Sequence, residues 1–177
     1  GKLTVTASRV SWSGLTDNEG YATNLQRIAG VSYSGDISMV FDFRIDSSSQ
    51  ADYVPELIKL DAVDFSAKLI ILGGENGAGK AYTSLEYYDG SGSGYNDDGT
   101  TLALNTVYYA KLTRDDDAGT NSKGLSTLKV YASDANRISD TSPLVTLQVN
   151  HTEQSDYALM FTTTSGLGGR TVTHVGY

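Results

Sequence analysis

Cysteine is absent from the 177 residues, so the chain can form no disulfide framework, no zinc–thiolate site and no cysteine nucleophile. Basic residues are scarce: 13 Lys and Arg stand against 21 Asp and Glu, giving a formal net charge of −8 and a pI of about 4.6. Phosphate recognition needs clustered Lys and Arg, so nucleic acid is not an expected partner, and anionic membrane surfaces are disfavoured on the same ground. Long apolar runs are missing too. Runs such as Leu69 to Leu72 fall far short of the roughly 20 residues that cross a bilayer as a helix. No secretory signal heads the sequence, and nothing about destination follows from that.

Proline occurs only twice, while glycine occurs 19 times and tyrosine 12 times. Together with abundant Thr, Ser and Val, this is the composition of short strands joined by Gly, Asn and Asp turns. A chain of this length buries about two-thirds of its unfolded surface, so a core can hold it without covalent links.

Apolar residues recur with period two. Leu3, Val5 and Ala7 alternate with polar neighbours, as do Met39, Phe41, Phe43 and Ile45. Val107 to Leu112 is apolar on both faces, which predicts a central strand. Leu128/Val130/Ala132, Val145/Leu147/Val149, Tyr157/Leu159/Phe161 and Val172/His174/Gly176 mark further strands, each with a predicted buried face. Gly35-Asp36, Gly73-Gly74, Asp89-Gly90 and Asp98-Gly99 are turn dipeptides. Tyr53 to Leu60 reads as one helical turn or as a strand broken by Pro55, and no apolar spacing predicts a helix longer than about two turns. No linker or repeat divides residues 1–177, so one all-β domain is expected: an antiparallel sandwich of two sheets packed face to face.

The chemical motifs weigh against catalysis. Gly74-Glu75-Asn76-Gly77-Ala78-Gly79-Lys80-Ala81 resembles a phosphate loop up to its last position, but Ala81 stands where a Ser or Thr must hold magnesium. The alternating segment Ala81 to Tyr88 follows where a helix is required, so a Gly-rich hairpin is the better reading. The five glutamates are Glu19, Glu56, Glu75, Glu86 and Glu153, and only Glu19 has an acidic residue two positions away, Asp17, in the acidic turn Asp17 to Gly20 and not in an alternating strand. The paired carboxylates of glycoside hydrolysis are therefore absent along any one strand. Of the two histidines, His151 sits in a turn with Glu153 and His174 falls on a predicted buried strand face, and both read as structural. The expectation is that the chain is not an enzyme.

The tyrosines make the positive case. Tyr exceeds Phe by 12 to 4, and a core would favour Phe, because a buried phenol must find a partner. Tyr82, Tyr88 and Tyr95 lie among Glu86, Asp89, Asn96 and Asp97, and Tyr87 shares a strand face with Leu85 and reads as core. Flat rings stack on sugars while amides and carboxylates bond hydroxyls, so these residues are carbohydrate-binding candidates, with Trp12 as a further platform. The competing reading is ordinary cross-strand tyrosine packing. Acidic turns offer oxygen ligands for calcium: Asp17 with Glu19, Asn96 to Asp98, and Asp115 to Asp117. Asn150-His151-Thr152 is a glycosylation sequon.

The order of Leu15 to Tyr21, Gly35 to Asp46, Leu104 to Arg114 and Leu128 to Asp134 resembles the concanavalin A-like lectin/glucanase superfamily, the jelly-roll group that includes laminin-G-like domains. The resemblance runs from about Leu3 to Tyr177. It implies a double-sheet sandwich with a concave sheet, frequent sugar binding and often one structural calcium, for which Asp17 and Glu19 are the candidates. Similar domains occur in bacterial, metagenomic and phage surface proteins. The expected function is a non-catalytic carbohydrate-binding module, monomeric as an isolated domain, placed outside the cell, on its surface or on a virion. The alternative is a structural or adhesion module with a protein partner.

Overall fold

The computed structural model describes residues 3–6, 9–12, 25–26, 35–45, 56–62, 67–75, 80–89, 92–96, 99–154, 157–161 and 172–176. The described strands are β1 (Leu3–Thr6), β2 (Arg9–Trp12), β3 (Leu25–Gln26), β4 (Ile37–Ile45), β5 (Glu56–Ala62), β6 (Ala67–Glu75), β7 (Lys80–Asp89) and β8 (Gly92–Asn96). They continue with β9 (Leu102–Ala103), β10 (Val107–Asp115), β11 (Leu125–Tyr131), β12 (Val145–Asn150), β13 (Tyr157–Phe161) and β14 (Val172–Gly176). One short helix, α1 (Asp134–Ser139), follows β11.

The strands form two antiparallel sheets. The first runs β1-β2-β14-β4-β10-β11-β12 and the second β3-β13-β5-β6-β7-β8, with β9 added against β7. Alternation explains the layering. In β10, Tyr108, Ala110, Leu112 and Arg114 are buried while Val107, Tyr109, Lys111 and Thr113 are only partly covered. Phe41, Phe43 and Ile45 of β4 and Leu128 and Val130 of β11 join that inner layer. Leu60, Leu69, Ile71, Leu85 and Tyr87 supply the layer from the second sheet. The Phe43 ring lies 6.0 Å from Tyr108 and 6.1 Å from Phe41, so aromatic packing anchors the middle of the first sheet.

Three local features depart from simple alternation. A register shift between Val172 and His174 sets Val172 opposite Ile45 and His174 opposite Arg44. A bulge exchanges the faces of a strand. The predicted burial of the His174 side chain lies outside what is described. Glu56–Ala62 is a strand, which resolves the helix-or-strand ambiguity there; residues 53–55 lie outside the described residues. The helix α1 was not foreseen: none of its residues is buried, so it carries no apolar stripe to betray it. Its N-cap is visible only in hindsight, where the Ser133 hydroxyl accepts from the Asn136 amide at 3.2 Å.

Candidate functional site

The strand β7 builds the candidate site. Its inward residues Ala81, Thr83, Leu85, Tyr87 and Asp89 are buried, so Lys80, Tyr82, Ser84, Glu86 and Tyr88 form the opposite row on the outer face of the second sheet. The β7–β8 hairpin pairs Asp89 with Gly92, which sets Tyr95 opposite Glu86. The β6–β7 pairing sets Lys68 opposite Tyr88. Tyr88 and Tyr95 are thus diagonal neighbours, about 7–8 Å apart. Both are open to solvent, at 46% and 59% exposure, whereas Tyr82 and Glu86 are half-buried. From Tyr82 to Tyr88 the row extends about 20 Å.

This face gathers four of the sequence candidates, Tyr82, Glu86, Tyr88 and Tyr95, and adds Lys68, Lys80 and Ser84. The period of β7 already placed Ser84 and Lys80 in the row. Lys68 needed the β6–β7 register, which no local pattern supplies. The remaining candidates lie elsewhere. Asp89 is 2% exposed and points inward, where the Tyr87 hydroxyl donates to its Oδ2 at 3.4 Å. Asn96 shares the parity of Leu85, and its Nδ2 donates to the Gln148 carbonyl at 2.9 Å, tying β8 to β12 of the other sheet. Trp12 ends β2, a strand of the first sheet, so the fold does not bring it to the tyrosine face. Asp97, and the calcium candidates Asp17 and Glu19, lie outside the described residues.

The carboxylates of Asp115 and Asp116 in the acidic loop after β10 are engaged within the chain. Asp115 Oδ1 accepts from the amides of Asp117 and Ala118, at 3.2 and 3.0 Å. Asp36 Oδ1 accepts from the Asp116 amide at 2.9 Å, and Asp116 pairs with the Arg114 guanidinium. These carboxylates serve the chain's own donors, and among the described residues no three acidic or histidine side chains are arranged to hold a metal ion.

A buried polar network closes the end of the sandwich beside this loop. The Arg114 side chain is almost fully enclosed and donates through Nη1 to the Gly35 carbonyl at 3.0 Å. His151 is 1% exposed, stacks on Tyr87 at 4.2 Å and places Nε2 2.8 Å from Ser126 Oγ. Burial, and secondarily the charge of Arg114, push its pKa down to about 4. Asn150 Oδ1 accepts from the Thr120 amide at 2.9 Å, and Thr152 Oγ1 lies 3.3 Å from the Tyr87 hydroxyl. The sequon residues are therefore engaged within the fold. On the outer face of the first sheet, Asp140 receives Lys129 at 2.8 Å, Lys111 at 3.2 Å and the Tyr131 hydroxyl at 2.5 Å. The bonds from Lys129 and Tyr131 hold its carboxyl well below the usual range.

Comparison with known proteins places this architecture. No protein-family model matches the sequence, and no curated protein matches it. Solved structures do match over nearly the whole chain. An alginate lyase shares 11% identity at a TM-score of 0.56, over 99% of this chain and 82% of its own. An endo-β-1,4-glucuronan lyase from the fungus Trichoderma reesei shares 12% at 0.53, over 98% and 82%. The LG1-3 region of the laminin α2 chain shares 16% at 0.52, over 92% of this chain and 31% of that one.

These matches correct the expectation that the chain is not an enzyme, because polysaccharide lyases are built on this sandwich. That expectation rested on the missing pair of carboxylates, which hydrolysis requires. Elimination asks only for a proton acceptor and a donor, roles that Tyr, Lys and His also fill, so the missing pair excludes one chemistry and not catalysis. The chain is a two-sheet antiparallel jelly roll of the concanavalin A-like kind.

Proposed function

We propose that this chain engages a polysaccharide along the outer face of the second sheet and cleaves it by elimination. The observation that carries the reading is the convergence of Tyr82, Glu86, Tyr88 and Tyr95 on one face, with Tyr88 and Tyr95 exposed as diagonal neighbours. Two such rings offer stacking surfaces to successive parts of one sugar chain, and Glu86 lies between them to accept from hydroxyls. Open sites of this kind bind in the micromolar to millimolar range, about 4–8 kcal/mol.

The pair Lys68 and Tyr88, directly opposite across β6 and β7, suits elimination on a uronic acid unit. The ammonium of Lys68 neutralises the carboxylate and so acidifies the neighbouring C5–H. Tyr88 acts as the base and takes that proton, the electron pair forms the C4–C5 double bond, and the C4–O bond breaks. The phenol then returns the proton to the departing oxygen, leaving an unsaturated sugar and a new chain end. The likeness to an alginate lyase and a glucuronan lyase supports this chemistry as the one to assay first.

The test is incubation with alginate, glucuronan and a neutral β-glucan, read by ultraviolet absorbance of the new double bond and by retardation in polysaccharide gels. Tyr88→Phe keeps the ring and loses the phenol, so retardation is retained while cleavage falls by at least about 100-fold. Tyr88→Ala loses both. Retardation without cleavage in the parent chain removes the elimination step. Neither retardation nor cleavage removes the reading and leaves an adhesion module, for which the exposed Val40, Ile138 and Leu144 are apolar contacts available among the described residues.

A further inference from the structure

Two adjacent hydroxyls on β7 break a rule that folded proteins rarely break. Thr83 Oγ1 and Ser84 Oγ are both buried, and among the described residues neither has a hydrogen-bond partner. Thr83 is 1% exposed and Ser84 0%. A buried hydroxyl without a partner forfeits its hydration and gains nothing in return, so each such group calls for an explanation. Because successive residues of a strand face opposite sides, the two cases separate. Thr83 belongs to the inward row of Ala81, Leu85 and Tyr87, within the core. Ser84 belongs to the row of Tyr82, Glu86 and Tyr88, the tyrosine face itself.

Ser84 is the smallest side chain in that row. It sits midway between Tyr82 and Glu86, each two residues away, so the row has a notch where both larger neighbours stop. The notch holds a hydroxyl that can donate one hydrogen bond and accept others.

We propose that Ser84 is a specificity residue of the saccharide site, its hydroxyl being the partner kept for a sugar hydroxyl that enters the notch between Tyr82 and Glu86. The inference rests on the proposed carbohydrate function of this face. The hydroxyl is closed to water in the free chain, so the sugar reaches it only when the groups covering Ser84 give way. The ligand group is a hydroxyl on an uncharged ring carbon, since a carboxylate there would meet the like charge of Glu86.

The variants are Ser84→Ala and, as an internal control, Thr83→Val, both in the full chain. Each removes one partnerless hydroxyl at nearly constant volume, so thermal stability is expected to hold or rise in both. Dissociation constants are then measured by affinity electrophoresis with alginate and with a neutral β-glucan. Ser84→Ala is expected to weaken binding roughly three- to tenfold, the worth of one neutral hydrogen bond. Thr83→Val is expected to leave binding unchanged. Equal affinity of Ser84→Ala and the parent chain overturns the assignment while leaving the tyrosine face in place. Equal weakening by both variants overturns it as well, by tracing the effect to the strand and not to the hydroxyl. If the parent chain is retarded by neither polymer, the carbohydrate reading fails, and this assignment fails with it.

Discussion

His151 lies between Tyr87, Ser126 and the Arg114 side chain, where an added proton has no place to be solvated. Its folded pKa, about 4, is below the ordinary imidazole value of 6.5, so the unfolded chain takes up the proton first. Stability from this residue is complete above about pH 6.5 and drains away as the pH falls toward 4, by roughly 3 kcal/mol in total. Urea unfolding of the parent chain and of His151→Gln, compared at several pH values, tests this: the gap between them is expected to narrow across that window. Gly119 is a second residue-scale case. Its φ is +80°, and a Cβ there would lie 2.5 Å from the Gly124 carbonyl and 2.8 Å from Asn150 Oδ1. Gly119→Ala is expected to cost about 1–3 kcal/mol in the same assay. The inward direction of Asp89 was readable from its parity with Leu85 and Tyr87. A carboxylate next to a glycine reads as a turn by default, and its contact with the Tyr87 hydroxyl is not visible in that pattern. Asn96 is different, because its partner is the carbonyl of residue 148 on the other sheet, and no local pattern reports such a contact.

Element by element, β4, β11 and β12 could be read from the sequence because each has one clear apolar row, and β10 because it is apolar on both faces. The bulge in β14 could not, since alternation gives parity only until a residue is inserted. The helix α1 stayed hidden because charge and capping hold it, not apolar burial. Ile138, its bulkiest apolar side chain, is 74% exposed. Asp140, in the left-handed region at φ 50°, closes the helix and gathers Lys111, Lys129 and Tyr131 from the sheet beneath. Asp140→Asn keeps a residue that tolerates this backbone and removes the charge. The expected result is a loss of about 1 kcal/mol, or about 2–4 °C in Tm, at low salt, shrinking as salt is added. Unchanged Tm at low salt would show that α1 is held by other contacts. Within the second sheet, the face bearing the tyrosines was half legible: the β7 row follows from its period, while the placement of Tyr95 and Lys68 follows from two hairpin registers.

At the scale of the whole molecule, β14 lies between β2 and β4, so the last described strand completes the middle of the first sheet. Deleting residues 172–177 is expected to abolish cooperative thermal unfolding, not merely to lower Tm, because β1 and β2 lose their only described link to β4. A sharp transition by circular dichroism in the truncated chain would show that the rest of the sandwich is self-sufficient. The same placement bears on synthesis. Strands β5 to β13 all leave the ribosome before β14, so β2 and β4 wait with an unpaired edge until β14 emerges. Such an edge is a template for any passing strand. The nascent chain, and not the finished protein, is where this fold is most exposed to misassembly, and its yield in a cell should depend more on chaperones and growth temperature than its equilibrium stability would suggest.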